Sequence, residues 1–341
     1  MELSLKPLLA GALLAGAIVQ AQVPPKVAAD LVDIGRGVCF PQTAALYQPL
    51  QPKPPYTDVE ISRDVSFGPN KLDVIDLVTP KAGSGNLPVL VYIPGGAGNK
   101  QADGEDGAPF YSNVAVWAAR NGMVGVVMQR HPGAAWDDPA KDIGMLVQRL
   151  HDNIGEHKGN PNRIFLWAQS AGNIPTATYI GHPELYGPDG VGIKGVVFMS
   201  APGFNILPVT PPAVAGGIAS CGEPGAPATA TAAKGKGKGG KGKGGKGKGR
   251  GDQPDQATML AQSNLPGLTA SNVPMFISAA ELDPESLIAF AETLRDQLVN
   301  AGKKPQFRII PKHSHISQVM SANTADTSVT GPILQWMQII K

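Results

Sequence analysis

The segment Ile164-Phe165-Leu166-Trp167-Ala168-Gln169-Ser170-Ala171-Gly172-Asn173 constrains the fold more than any other. A continuous apolar run of strand length gives way to small residues around a serine, the pattern of a sharp strand-to-helix turn. Such a turn holds the serine hydroxyl in a strained, exposed position. Bulky groups two residues to either side would collide with the strand and the helix it joins. Ala168 and Gly172 meet that requirement, so Ser170 is the candidate nucleophile.

The elements around this turn predict a parallel sheet. Residues 59–67 and 72–78 alternate apolar and polar side chains about Gly68-Pro69-Asn70, as an antiparallel hairpin does. Residues 87–93 and 123–128 are near-continuous apolar runs, the mark of strands buried on both faces. Between and after them, residues 110–121 and 139–156 have helical spacing; in the second, Ile143, Leu146, Val147, Leu150 and Ile154 share a face, and Gly159-Asn160-Pro161-Asn162 should end it. Strand 164–167, a helix through residue 180, strand 195–199, strand 275–279, helix 284–300, strand 306–310 and a closing helix from residue 331 continue the alternation. Strands separated by helices imply right-handed crossovers in a mostly parallel, doubly wound α/β sheet. A chain of 341 residues accommodates one such domain, assigned to residues 57–341. Residues 22–56, proline-rich and irregular apart from a short helix near 27–34, are expected to form a strap over its surface.

Two segments stand outside this pattern. Residues 1–21 carry one lysine, Lys6, an apolar run over 8–19 and Val19-Gln20-Ala21 as a small-x-small cleavage site, which reads as a secretory signal peptide. The expected location is therefore periplasmic or secreted, with no membrane span left after removal. Residues 204–270 form an insert, irregular throughout, whose centre at 234–251 alternates lysine and glycine. That stretch has no apolar area to offset its ordering entropy and is expected to be a disordered, solvated loop. Its eight basic residues mask an acidic remainder, since 21 basic side chains elsewhere face 27 acidic ones. Attraction of Lys234 to Arg250 for a polyanion is conceivable on charge alone, but no aromatic residue is present to stack a base, so no specific nucleic-acid reading is expected. Cys39 and Cys221 are the only cysteines. An exported chain meets an oxidising compartment where one disulfide can form, and the sequence leaves their pairing open. Without a histidine cluster they make no zinc site, and no metal or cofactor is expected.

A serine needs a base to take its proton and an acid to orient that base. In a strand-turn-helix architecture these follow in order, the acid after a late strand and the histidine after the last. Asp283, in Glu281-Leu282-Asp283-Pro284, follows the strand near residue 279; His315, in His313-Ser314-His315-Ile316-Ser317, follows the strand at 306–310. Glu281 and His313 are the rivals. A helix cap for Asp283 and a solvated loop position for either histidine are the plainer readings. Pro94-Gly95-Gly96-Ala97-Gly98 after the first buried strand offers bare backbone to an oxyanion, with Gly96, Ala97 and Ala171 as donors. It is no phosphate cradle, because no Gly-Lys-Ser/Thr ending and no GxGxxG follow.

Taken together, Ile93-Pro94-Gly95-Gly96-Ala97, Trp167-Ala168-Gln169-Ser170-Ala171-Gly172, Glu281-Leu282-Asp283-Pro284 and His315-Ile316-Ser317 resemble motifs of the α/β-hydrolase superfamily over residues 59–341. The likeness is to its secreted carboxylesterase and feruloyl-esterase-like branch, related to hormone-sensitive lipase. The resemblance implies the α/β-hydrolase fold, Ser170 as nucleophile, Asp283 as acid, His315 as base, a small-molecule ester substrate and no cofactor. Two positions depart from it: Pro94 stands where the family has a histidine that helps fix the oxyanion loop, and Ala168 replaces the first elbow glycine. The expected activity is ester hydrolysis through an acyl-enzyme. An amide or peptide hydrolase of the same fold, or a catalytically silent binding protein, are the alternatives.

Overall fold

The computed structural model describes residues 22–96, 98–100, 110–214, 218, 221 and 255–340. The expected signal segment, Ala97 and the lysine-glycine stretch lie outside the described residues.

After helices α1 (Pro25–Ile34) and α2 (Phe40–Tyr47), strands β1 (Val59–Ser66) and β2 (Val74–Pro80) form the expected hairpin. It is antiparallel, with Val59 opposite Pro80 and Ser66 opposite Val74. The chain then runs through β3 (Leu87–Ile93), α3 (Ser112–Arg120), β4 (Val124–Met128), α4 (Asp138–Asn153), β5 (Gly159–Gln169), α5 (Asn173–Gly181) and β6 (Gly195–Met199). Short helices α6 (Gln256–Ala261) and α7 (Leu265–Ala270) precede β7 (Met275–Leu282), α8 (Glu285–Asn300), β8 (Gln306–Ser314), α9 (Ser317–Met320) and α10 (Thr330–Ile339). The eight strands lie in the order β1-β2-β4-β3-β5-β6-β7-β8. β2 is antiparallel to both neighbours, and every pairing from β4 to β8 is parallel.

Strand alternation divides the core into two layers. Val89, Val91 and Ile93 of β3 and Ile164, Leu166 and Ala168 of β5 face one side, packed with residues of α4, α5 and α8. Leu90, Tyr92, Phe165 and Trp167 face the other, packed with α1, α3 and α10. Both faces are therefore covered, which is why these strands read as unbroken apolar runs. Ala168 belongs to the first layer and is fully buried, so the methyl group that departs from the family glycine is packed into the core.

Three expectations are corrected. The strap is largely helical, and it is built into the core: Leu31 and Tyr47 are completely buried, and Gln51 donates to the carbonyls of Met320 and Ala322. The insert is not irregular throughout, because α6 and α7 lie within it, the first capped by the Asp255 carboxylate accepting the Thr258 amide at 2.7 Å. Residues 159–162 do not simply end a helix. They open β5, where Asn160 Oδ1 accepts the Asn162 amide and the register against β3 shifts between Leu87 and Val89. The two cysteines, left open by the sequence, form a disulfide, Cys39–Cys221.

Candidate active site

β5 delivers Ser170 with φ +50°, a left-handed conformation that costs a non-glycine residue about 1 kcal/mol or more. Close packing on both sides holds it there. A Cβ on Gly172 would lie 2.3 Å from the Ile93 carbonyl oxygen, and one on Gly95 would lie 2.7 Å from Ser170 Cβ. Only glycine at these two places lets the elbow and the loop after β3 approach each other. That contact puts the glycine-rich loop beside the hydroxyl.

The end of the sheet delivers the partners. Beyond an irregularity after Ala280, Leu282 of β7 pairs with Ser314 of β8. The next residue on each strand is Asp283 and His315, so parallel register brings the two side by side. His315 Nδ1 lies 2.8 Å from Asp283 Oδ1, and His315 Nε2 lies 2.9 Å from Ser170 Oγ. A carboxylate only accepts, so Nδ1 carries the proton and Nε2 is the acceptor, facing the Ser170 hydroxyl and, at 3.3 Å, the Gln169 side-chain amide. Asp283 and His315 are both buried, which strengthens each hydrogen bond between them. The second carboxylate oxygen, Asp283 Oδ2, accepts the Ala280 amide at 2.6 Å and the Ser200 hydroxyl. Arg36, from the strap, donates to the Asp283 carbonyl at 2.9 Å.

The rival residues are accounted for. Glu281 is exposed and its Oε2 accepts the Lys312 amide at 2.6 Å, away from the histidine. Neither histidine is solvated. His313 is completely buried against Ser317, Ser328 and Asp326. Nor is Asp283 a helix cap, a position that Pro284 occupies for α8. Gly96 lies in the loop after β3 with φ +57°, and Ala171 follows Ser170 in the elbow; Ala97 is outside the described residues.

Four side chains at this site carry no local sequence signal: Arg36, Arg130, Ser200 and Gln318. Ser200 ends β6 at φ +49°, buried, and Gln318 donates to its hydroxyl and, at 3.3 Å, to the His315 carbonyl. Each reaches the site through tertiary structure from a different element, so spacing could not have found them.

Among the described residues, one group of acidic and histidine side chains has donor atoms converged as a metal would require: Asp73, His131 and Asp142, all within 4.8 Å. Both carboxylates face the same nitrogen, His131 Nε2, at 3.0 and 3.3 Å, while Nδ1 faces the Pro132 carbonyl at 3.3 Å. With acceptors at both ring nitrogens, an imidazolium satisfies the group without a metal. Burial pulls the His131 pKa down, but the Asp73 hydrogen bond, the Pro132 carbonyl and the Asp142 charge outweigh it and raise it above the usual histidine value. A cavity of about 610 Å³ lies at the opposite, amino ends of the strands, lined by Lys194, Val273 and Pro274 just before β6 and β7, so volume does not locate the chemistry.

The strand order and the position of the elbow at the carboxyl end of β5 define the α/β-hydrolase fold. Solved structures of that fold are similar over most of the chain. Esterase B from Lactobacillus rhamnosis matches with a TM-score of 0.59 at 12% identity, covering 92% of this chain and 95% of its own. A bacterial heroin esterase matches with a TM-score of 0.58 at 17% identity, covering 93% and 97%. No family model matches. Among curated proteins, a chlorogenic acid esterase of Aspergillus niger is 33% identical over 110 residues, 29% of this chain and 21% of its own length. A probable isoprenylcysteine alpha-carbonyl methylesterase of Arabidopsis thaliana is 28% identical over 121 residues, 33% and 23%. The chain thus spans less than a quarter of the length of these two curated relatives.

Proposed function

We propose that the chain is a serine esterase that cleaves carboxylic esters through an acyl-enzyme. The observation that carries this reading is the unbroken chain Ser170–His315–Asp283, with contacts of 2.9 and 2.8 Å. Ser170 Oγ bonds to the ester carbonyl carbon while His315 Nε2 takes its proton. Asp283 steadies the resulting imidazolium without itself being protonated. The carbonyl oxygen gains negative charge and is received by the amides of Gly96, Ala97 and Ala171, donors each worth about 3 kcal/mol in such reactions. Collapse breaks the bond to the alcohol, which leaves with the proton from His315. Water then bonds to the acyl carbon, giving its proton to His315, and Ser170 departs with that proton restored.

The esterase names among the fold neighbours and curated relatives support the ester reading over the amide one, and the Cys39–Cys221 disulfide supports export to an oxidising compartment, periplasmic or extracellular. The test is a chain-length panel of chromogenic esters and matching anilides with wild type and Ser170→Ala, alongside a fluorophosphonate probe. Turnover of esters, loss in Ser170→Ala and labelling of the wild type alone are expected. Preferential anilide cleavage would make it an amide hydrolase, and neither turnover nor labelling would make it a binding protein.

A further inference from the structure

The loop after β3 is held from outside, by the residues that follow β4. Arg130 Nε donates to the Pro94 carbonyl at 2.7 Å and Nη2 to the Gly96 carbonyl at 2.6 Å. The Arg130 amide donates to the Gly98 carbonyl at 2.9 Å, and between these the Gly98 amide closes a turn onto the Gly95 carbonyl at 3.0 Å. The neighbouring residue, Gln129, accepts the Lys100 amide at 2.9 Å through its side chain. Lys100 is itself buried with its ammonium on Asp76 at 2.7 Å, which pins the far end. The fit leaves no slack, since a Cβ on Gly98 would lie 2.5 Å from Arg130 Cβ and 2.8 Å from its Nε.

This arrangement answers a deficit in the sequence. Proline at position 94 carries neither a side-chain donor nor an amide hydrogen, so it cannot fasten this loop by donating a hydrogen bond of its own. Arg130 supplies the restraint from a neighbouring strand. A peptide unit is planar and trans, so its N–H points opposite to its C=O. Fixing the Pro94, Gly95 and Gly96 carbonyls therefore fixes the three peptide planes that begin there, including the one that bears the Gly96 amide. Charge matters too. Among the described residues, the hydrogen-bond partners of the Arg130 guanidinium are carbonyl oxygens and none is a carboxylate. A guanidinium bonded to the backbone of that loop attracts an oxyanion developing at its amides.

We propose that Arg130 is the positioning residue of the oxyanion loop: its guanidinium fork holds the peptide planes at Pro94 and Gly96, and its positive charge favours the anionic intermediate. The proposal rests on the serine-esterase reading for its kinetic consequence but not for its structural one, and two measurements keep them apart. The first is hydrogen exchange in peptides covering residues 94–100, in wild type, Arg130→Met and Arg130→Lys. Arg130→Met should exchange faster there, with Arg130→Lys intermediate and the rest of the sheet unchanged. Unchanged exchange in the loop would overturn the proposal whether or not the protein is an esterase.

The second measurement is steady-state kinetics on a short neutral ester. Arg130→Met should lower kcat about 100-fold, the scale of one lost oxyanion donor, while KM changes less than about threefold, because the interaction is made in the transition state. Arg130→Lys keeps the charge and loses the fork, and should recover part of that loss. An Arg130→Met enzyme with wild-type kcat, or one whose loss lies wholly in KM, would overturn the proposal while leaving a Ser170-dependent wild type an esterase. Full recovery in Arg130→Lys would overturn the fork.

Discussion

His313 and His315 stand two residues apart, are both buried, and share no hydrogen-bond partner. The first joins Ser317, Ser328 and Asp326 in the interior, and the second joins Asp283 to Ser170. Substituting them should therefore injure different properties. His315→Ala is expected to abolish ester turnover as fully as Ser170→Ala, since members of such a unit fail together. His313→Ala strands the Asp326 carboxylate, whose pKa burial pushes up but whose His313 and Ser328 hydrogen bonds bring below the usual carboxylate range. It should cost about 3 kcal/mol of stability. Parallel assays of turnover and denaturant unfolding decide this, and loss of activity in a stably folded His313→Ala protein would contradict it.

Ser200 offers a finer test. Its hydroxyl donates to Asp283 Oδ2 while its backbone sits at φ +49°, where only glycine is unstrained. Ser200→Ala and Ser200→Gly both lose the hydrogen bond, and each should lower kcat/KM by about tenfold, the worth of one hydrogen bond to a charged group. They should differ in stability. The glycine variant, relieved of the left-handed penalty, should be more stable than the alanine variant by about 1 kcal/mol in urea titrations. Equal unfolding midpoints would show that the strain is absent.

The His131 group predicts a pH dependence of stability. The folded pKa of His131 lies above its usual value, so the ion pairing with Asp73 and Asp142 is fully present below the unfolded value of about 6.5 and is lost as pH rises through the folded one. Asp142 acts in the same direction at lower pH, because burial foremost holds its pKa above the usual carboxylate range despite the His131 charge, so the fold again binds the proton more tightly than the unfolded chain. The stability difference between wild type and His131→Gln should be largest below pH about 6.5 and shrink as the solution becomes alkaline. A difference that grows with pH would mean His131 is neutral in the fold.

Reduction of Cys39–Cys221 provides the last test. The crosslink spans 182 residues, and a loop of that size restrains the unfolded chain by about 5 kcal/mol on the entropic account. A reducing agent, or Cys39→Ser with Cys221→Ser, should lower the unfolding midpoint markedly without touching any residue of the Ser170 unit. An unchanged midpoint would refute the assigned contribution.

Legibility in the sequence followed the range of the interactions. β3, β4, β5 and β6 were visible because a strand covered on both faces must be apolar at every position, and Ser170, Asp283 and His315 because chain order in a parallel sheet fixes which strand ends meet. The strap was misjudged because α1 buries only Val27 and Leu31 and α2 only Thr43 and Tyr47, too few to imprint a period. α6 and α7, six residues each, are too short to be told from turns. Asn160-Pro161-Asn162 carries true turn chemistry, and pairing with β3 resumes around it, which no local signal announces. Arg130 leaves no local signal, since its partners are carbonyl oxygens 34 and 36 positions earlier.

The bonds from Arg36 to the Asp283 carbonyl, 247 residues away, and from Gln51 to the Met320 carbonyl, 269 residues away, tie the beginning of the chain to its end. A ribosome releases residue 36 long before residue 283 exists. The opening helices must therefore wait, uncommitted, until the final strand has been made, and the acid of the Ser170 unit gains its outer brace only when they return. Such a chain ripens late: a fragment lacking the first fifty residues should be born with its sheet assembled and Asp283 unbraced.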